Sequence, residues 1–114
     1  MRRDNIQDVR DAVRACREMQ EFVEGYTLET YLQDDRTRSA IERLFEILGE
    51  ALNRVDDADP FFREHLPESG RFISMKNHIR HEYDHVNSTE LWNTIRDSIP
   101  DVQKKLNAWL EKNG

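Results

Sequence analysis

A chain of 114 residues with 37% apolar and 35% charged residues has room for one core and for helices with long solvated faces, and is too short for two ordinary domains. A formal charge of -6 excludes a broad cationic footprint for duplex DNA, and the single cysteine, Cys16, excludes an intrachain disulfide. No apolar run approaches the roughly 18 residues of a membrane span, and the start MRRDNIQDVRD lacks the apolar stretch of a signal peptide, so the expectation is one cytoplasmic domain, residues 1–114, with no membrane partner.

Apolar positions Ile6, Val9, Val13, Cys16, Met19 and Phe22 advance by threes and fours, which predicts a first long helix with Asp4 as its N-cap and Gly25 just past its end. Cys16 falls on this stripe and reads as a buried thiol. Thr27 caps a short helical turn, TLETYLQ, and Asp34 and Asp35 offer caps for the next helix. That second long helix is expected from about Thr37 to Val55, with Ile41, Leu44, Leu48, Ala51, Leu52 and Val55 inside and Arg38, Glu42, Arg43, Glu46 and Glu50 in pairs three or four apart.

The stretch DDADPFFREHLPESG holds two of the three prolines and reads as a connection with one helical turn at Phe61 to His65. Phe72, Ile73, Ile79, Tyr83 and Val86 mark a third helix. Ser88 and Thr89 precede a fourth carrying Leu91, Trp92, Ile95 and Ile99, and Pro100 either kinks it or begins another that carries Val102, Leu106, Trp109 and Leu110 to the end. Trp92 and Trp109 lie on or beside apolar stripes and read as core or interface. Nowhere do β-branched and polar residues alternate between turn signals. The expected fold is all-α, an antiparallel four-helix bundle with short accessory helices.

Three of the four histidines, His78, His81 and His85, crowd into MKNHIRHEYDHV (residues 75–86) beside Lys76, Arg80, Glu82, Tyr83 and Asp84. One reading is a solvated face whose charges pair locally. A second is metal, because His81 to His85 spells H-E-x-x-H, two histidines one helical turn apart. Against catalytic zinc stand the lack of any histidine after His85 and of a strand to align a peptide. The third is metal-free phosphodiester chemistry: an imidazole moves a proton at the RNA 2′-OH while Lys76, Asn77 and Arg80 hydrogen-bond phosphate oxygens. Lys76 and His81 stand about 140° apart around an ideal helix, so they converge on one phosphate only through long side chains or a second subunit.

At these residues the chain resembles the HepT-like proteins of the HEPN superfamily, the toxin half of prokaryotic MNT/HepT toxin–antitoxin pairs (type VII-like). Members read M-R-N-x-x-x-H-x-Y, matched by Met75, Lys76, Asn77, His81 and Tyr83. A preceding pattern, T-x-x-A-x-x-R-x-x-E-I-x-G-E-A, is matched by Thr37, Ala40, Arg43, Glu46, Ile47, Gly49, Glu50 and Ala51. The resemblance spans nearly the whole chain. It implies a HEPN-like bundle that dimerises around its R-x4-6-H motif and cleaves RNA with neither metal nor other cofactor. It also implies a partner, a minimal MNT-type nucleotidyltransferase antitoxin that adds AMP to the motif tyrosine.

Carried over, Lys76 and His81 are the catalytic pair, Asn77 is a positioning residue, and Tyr83 is both a site component and the AMP acceptor. Arg80, one turn from Lys76, is a second cation for substrate positioning. One departure stands out: the family's arginine is Lys76 here, and an ammonium does not reproduce the planar fork with which a guanidinium grips phosphate. The alternative function is accordingly a non-catalytic helical subunit that binds a nucleotidyltransferase. Arg80 and His85 also satisfy R-x4-H, but in that register no tyrosine follows two residues after the histidine. Gly49 reads as a point of close helix packing.

Overall fold

The computed structural model describes residues 3–82 and 85–114, with backbone alone at residues 3 and 4. Seven helices succeed one another among these residues: α1 (Arg3–Phe22), α2 (Leu28–Leu32), α3 (Asp35–Ala58), α4 (Phe62–His65), α5 (Ser69–His81), α6 (Ser88–Asp97) and α7 (Ile99–Asn113). No strand occurs among them, and no helix is long and apolar enough to cross a membrane. The all-α reading holds.

α1 buries Val9, Ala12, Cys16 and Met19, spaced by threes and fours, so one stripe of the helix turns inward, and Val23 just past its end continues that stripe. Its backbone is already helical at Asp4, which therefore sits in the first turn and not at the cap expected for it. The C-terminal end also differs: Val23 takes the inward place, and Phe22 is left 48% exposed where the chain turns at Gly25. Gly25 has φ +82, a left-handed conformation that a side chain disfavours, and stops the helix. Cys16 is fully buried as expected, and burial pushes its thiol up to about 12.

Two caps set the short α2 and the long α3. The Thr27 hydroxyl accepts from the Thr30 N–H at 3.1 Å while the Thr27 N–H donates to the Thr30 hydroxyl at 2.9 Å. Asp34 accepts from the Thr37 N–H at 3.0 Å and from the Thr37 hydroxyl at 2.9 Å, with the Tyr26 hydroxyl as a further donor. α3 is longer than its apolar period suggests, because residues 56–58 of the supposed connection continue it.

α3 runs down the middle of the bundle, packed along α1 on one side and α5 on the other, and α7 lies on α1. Bridges give the directions. Arg54, late in α3, pairs at 3.5 Å with Asp8, early in α1, and Gln20, late in α1, donates at 2.6 Å to Gln103, early in α7, so each pair is antiparallel. The connection around α4 is tied down by α7: His65 Nε2 lies 2.6 Å from the Lys105 carbonyl, and Lys105 Nζ is 3.1 Å from Glu68. Trp109 meets Phe62 edge to face at 5.8 Å, and Trp92 lies 5.4 Å from Tyr31; both indoles are buried, in keeping with a core role. Ser98 interrupts the last segment and Pro100 stands in the first turn of α7, so proline begins a helix here.

The donors around Asp34 hold its carboxyl down at about 2 from an ordinary 3.8, the Tyr26 hydroxyl contributing most. A depressed carboxyl contributes stability above its unfolded pKa and loses it as pH falls through the folded value. Asp34→Asn keeps a side chain that caps helices but removes the titration. Thermal unfolding followed by circular dichroism should therefore show a melting temperature lower than wild type at pH 7, with the gap between the two proteins closing from about pH 4 toward pH 2.

Candidate active site

α5 has an uneven inner stripe: Ser69, Phe72, Lys76 and Ile79 are buried at spacings of three and four, and one of them is charged. Lys76 is only 7% exposed. Its place is possible because of Gly49 on α3. A Cβ built on Gly49 would lie 2.5 Å from the Lys76 Cβ and 2.8 Å from the Phe72 carbonyl oxygen, so the two helix backbones touch where the lysine stem crosses. The aliphatic stem of Lys76 thus covers the bare backbone of α3. No described carboxylate forms an ion pair with it.

Arg80 stands one turn beyond Lys76 and faces α3. Its guanidinium meets Glu46 at 3.4 Å and also pairs with Glu50. Those carboxylates are shared in turn: Glu46 with Arg43 at 3.6 Å, and Glu50 with Arg54 at 3.7 Å. Sequence spacing suggests pairs within one helix, but the chief link of these side chains is between helices. Spacing shows Glu46 and Glu50 as partners within α3 and misses their link to Arg80. A signal for that link is present, since two glutamates four apart on α3 face an arginine on the next long helix, but it becomes legible only once the two helices are known to be antiparallel.

Asn77 and His81 are both exposed and four apart, so they stand one above the other on the outer face of α5. His81 is the last helical residue, whereas the apolar period predicts a helix that continues to Val86. Glu82 caps the end through its N–H to the His78 carbonyl at 2.9 Å, and its carboxylate takes the His78 Nδ1 at 2.8 Å. His85 lies outside α5, its N–H bonded to the Glu82 carbonyl at 2.8 Å. His81 and His85 are therefore not both carried on α5. Among the described residues no three His, Cys, Asp or Glu side chains gather as a ligand set. Tyr83, the expected AMP acceptor, lies outside the described residues.

The structure thus places Lys76 at the helix crossing, Arg80 against α3, and Asn77 with His81 on the free face. In one chain the lysine and the histidine point to different sides of α5, as their spacing requires. What they can do chemically is clear for each: a cation at a phosphate oxygen, an amide hydrogen bond, and an imidazole to carry a proton.

An all-α bundle with K-x4-H on a helix packed against its long central helix belongs to the HEPN-like class of folds. The chain is a member of the ribonuclease HepT-like family, whose pattern it matches over residues 12–109. It is 29% identical over 104 residues to the "Probable ribonuclease HepT" of Thermococcus cleftensis, covering 90% of each chain. A "Putative RNase" of Caldanaerobacter subterraneus is 30% identical over 101 residues, 88% of each. One of the same description from Methanocaldococcus jannaschii is 22% identical over 98 residues, 84% of this chain and 87% of its own. No solved structure matches.

Gly49→Ala should force α3 and α5 apart. Over-packing of this kind costs about 1–3 kcal/mol, set against a helix-propensity gain of about 1 kcal/mol. Because the clash includes backbone, the expected outcome is a lower urea midpoint, with α5 amides exchanging faster than those of α1. An unchanged midpoint would remove the close crossing from the account.

Proposed function

We propose that this chain is the RNase toxin subunit of an MNT/HepT-type toxin–antitoxin pair, acting without a metal at a cleft shared by two copies. The observation that carries the reading is the division of labour on α5: Lys76 is fixed at the α3 crossing while His81 stands at the free end of the helix. A second α5 across a two-fold axis supplies the missing partner on each side. In the reaction, one His81 takes the proton of the 2′-OH as its oxygen attacks the adjacent phosphorus. The P–O5′ bond breaks, the leaving oxygen is protonated by an imidazolium, and a 2′,3′-cyclic phosphate and a 5′-OH remain. Lys76 meets the negative charge gathering on the phosphate, and Asn77 orients it. Arg80, held by two carboxylates, serves here mainly by fixing α5 and only secondarily by adding to the field at the phosphate. Reducing conditions suit the buried single thiol, in keeping with a cytoplasmic protein.

Loss of His81 should lower cleavage of a generic single-stranded RNA in chelator-containing buffer by about 10²- to 10⁴-fold, the usual worth of a positioned acid–base group. Lys76→Arg should raise it, since a guanidinium binds phosphate with two parallel bonds. Equal cleavage by wild type and His81→Ala would take the histidine out of the mechanism.

A specific observation favours one other reading. The family's arginine is a lysine here, and the nearest arginine, Arg80, has its charge already paired with Glu46 and Glu50. A non-catalytic subunit that presents α5 to a nucleotidyltransferase fits that pattern, and it gains if neither wild type nor Lys76→Arg cleaves.

Silencing acts on Tyr83. The Tyr83 phenol oxygen attacks the α-phosphorus of ATP on the partner enzyme, pyrophosphate leaves, and the attached AMP adds charge and bulk two residues from His81. Tandem mass spectrometry after co-expression with a minimal nucleotidyltransferase should locate AMP on Tyr83; modification confined to another residue would refute the assignment.

A further inference from the structure

On the side of α5 turned toward α6 lies an open cleft of about 260 Å³. Its apolar wall includes Met75, Ile79 and Leu91, and its polar rim includes His78, Asn87 and Glu90. A second cavity of about 350 Å³ shares Asn87 and Glu90 with it and extends to Arg71. His78, on its rim, is three residues before His81.

We infer that this cleft is a guanine-reading subsite, which takes the base of the nucleotide next to the scissile phosphate. The inference rests on the RNA-cleaving reading for its class of substrate. Single-stranded RNA is read by splayed bases laid on apolar side chains and hydrogen-bonded along their edges. The cleft is below the roughly 300–1,000 Å³ of pockets for drug-sized ligands and suits one flat ring system.

The polar rim selects the base. Among the described residues the Glu90 carboxylate has neither an ion pair nor a side-chain hydrogen bond, in a protein of net charge -6 whose other rim groups are engaged. An ionised carboxylate only accepts. Beside an RNA backbone it repels unless it meets donors on a base. Guanine alone offers two adjacent N–H donors on its Watson–Crick edge, N1–H and the 2-amino group, which match two carboxylate oxygens. Adenine and cytosine place an acceptor nitrogen beside their amino group, and uracil sets one N–H between two carbonyls. Asn87 completes the set: its Oδ1 caps α6 by accepting from the Glu90 N–H at 3.0 Å, which leaves its amide N–H₂ to donate to guanine O6.

A carboxylate in the first turn of α6 also favours the helix dipole, a role that needs no ligand. The test therefore uses substitutions that preserve the helix end. Glu90→Gln keeps the size, and Asn87→Asp keeps a strong N-cap while losing the donor. Four short 2′-deoxy oligonucleotides, identical but for one central base and lacking the 2′-OH, report binding without cleavage. Wild type should bind the guanine oligonucleotide about tenfold or more tighter than the others, with amide shifts at Met75 and Leu91. Both variants should lose that preference at an unchanged melting temperature.

Equal affinity for the four, or a preference that survives both substitutions, overturns the inference. Cleavage mapping on RNA separates it from the reading it rests on. Cleavage indifferent to guanine refutes the subsite alone, whereas guanine-selective binding without cleavage upholds the subsite and refutes the ribonuclease.

Discussion

The contact between α3 and α5 at Gly49 sets the position of the candidate site residues carried on α5. With no Cβ on Gly49, the Phe72 carbonyl and the Lys76 stem lie directly on the α3 backbone. That approach fixes the rotation of α5 about its own axis. Phe72 and Ile79 then point into the core, Lys76 points along the crossing, and Asn77 and His81 are necessarily on the outside. A bulkier residue at 49 would shift all of them together, because they share one rigid helix.

Energy and orientation come from different interactions here. Burying Phe72 or Ile79 is worth about 1.5–3 kcal/mol each, and these side chains hold α5 to the bundle. The Arg80 bridges to Glu46 and Glu50 lie at the surface, where the arginine side chain is 41% exposed, and such pairs are worth about 0–1 kcal/mol. Their importance is directional. Two carboxylates one turn apart on α3 grip one guanidinium, which resists sliding of α5 along its partner. The same pairing leaves Arg80 with little uncompensated positive charge, whereas Lys76 has no ion pair with a described carboxylate.

The end of α5 is as consequential as its packing. Because the helix stops at His81, that imidazole stands at the free end of α5, with His78 braced by Glu82 one turn before that cap. The spacing Ile79, Tyr83, Val86 continues the apolar period past this point and suggests a longer helix. Val86 does pack on the core, but from the segment that leads to the Asn87 cap of α6. The periodic signal is sound as a statement about the burial of Val86. It misleads about helix length, because a residue can reach the core from a connection as well as from a helix.

Local chemistry made most of the fold legible. The stripe of α1, the caps at Thr27 and Asp34, the start of α7 at Pro100 and the burial of Cys16 all depend on residues within a turn or two of one another, so spacing alone determined them. The motif from Met75 to Tyr83, with the pattern from Thr37 to Ala51, determined the family in the same way. Tertiary structure decided what those residues face. Arg80 and Glu46 are 34 positions apart and meet only because α3 and α5 are antiparallel. Phe22 lost its inner place to Val23, and Lys76 gained one at Gly49, since burial is a property of how two surfaces fit and not of either sequence segment alone.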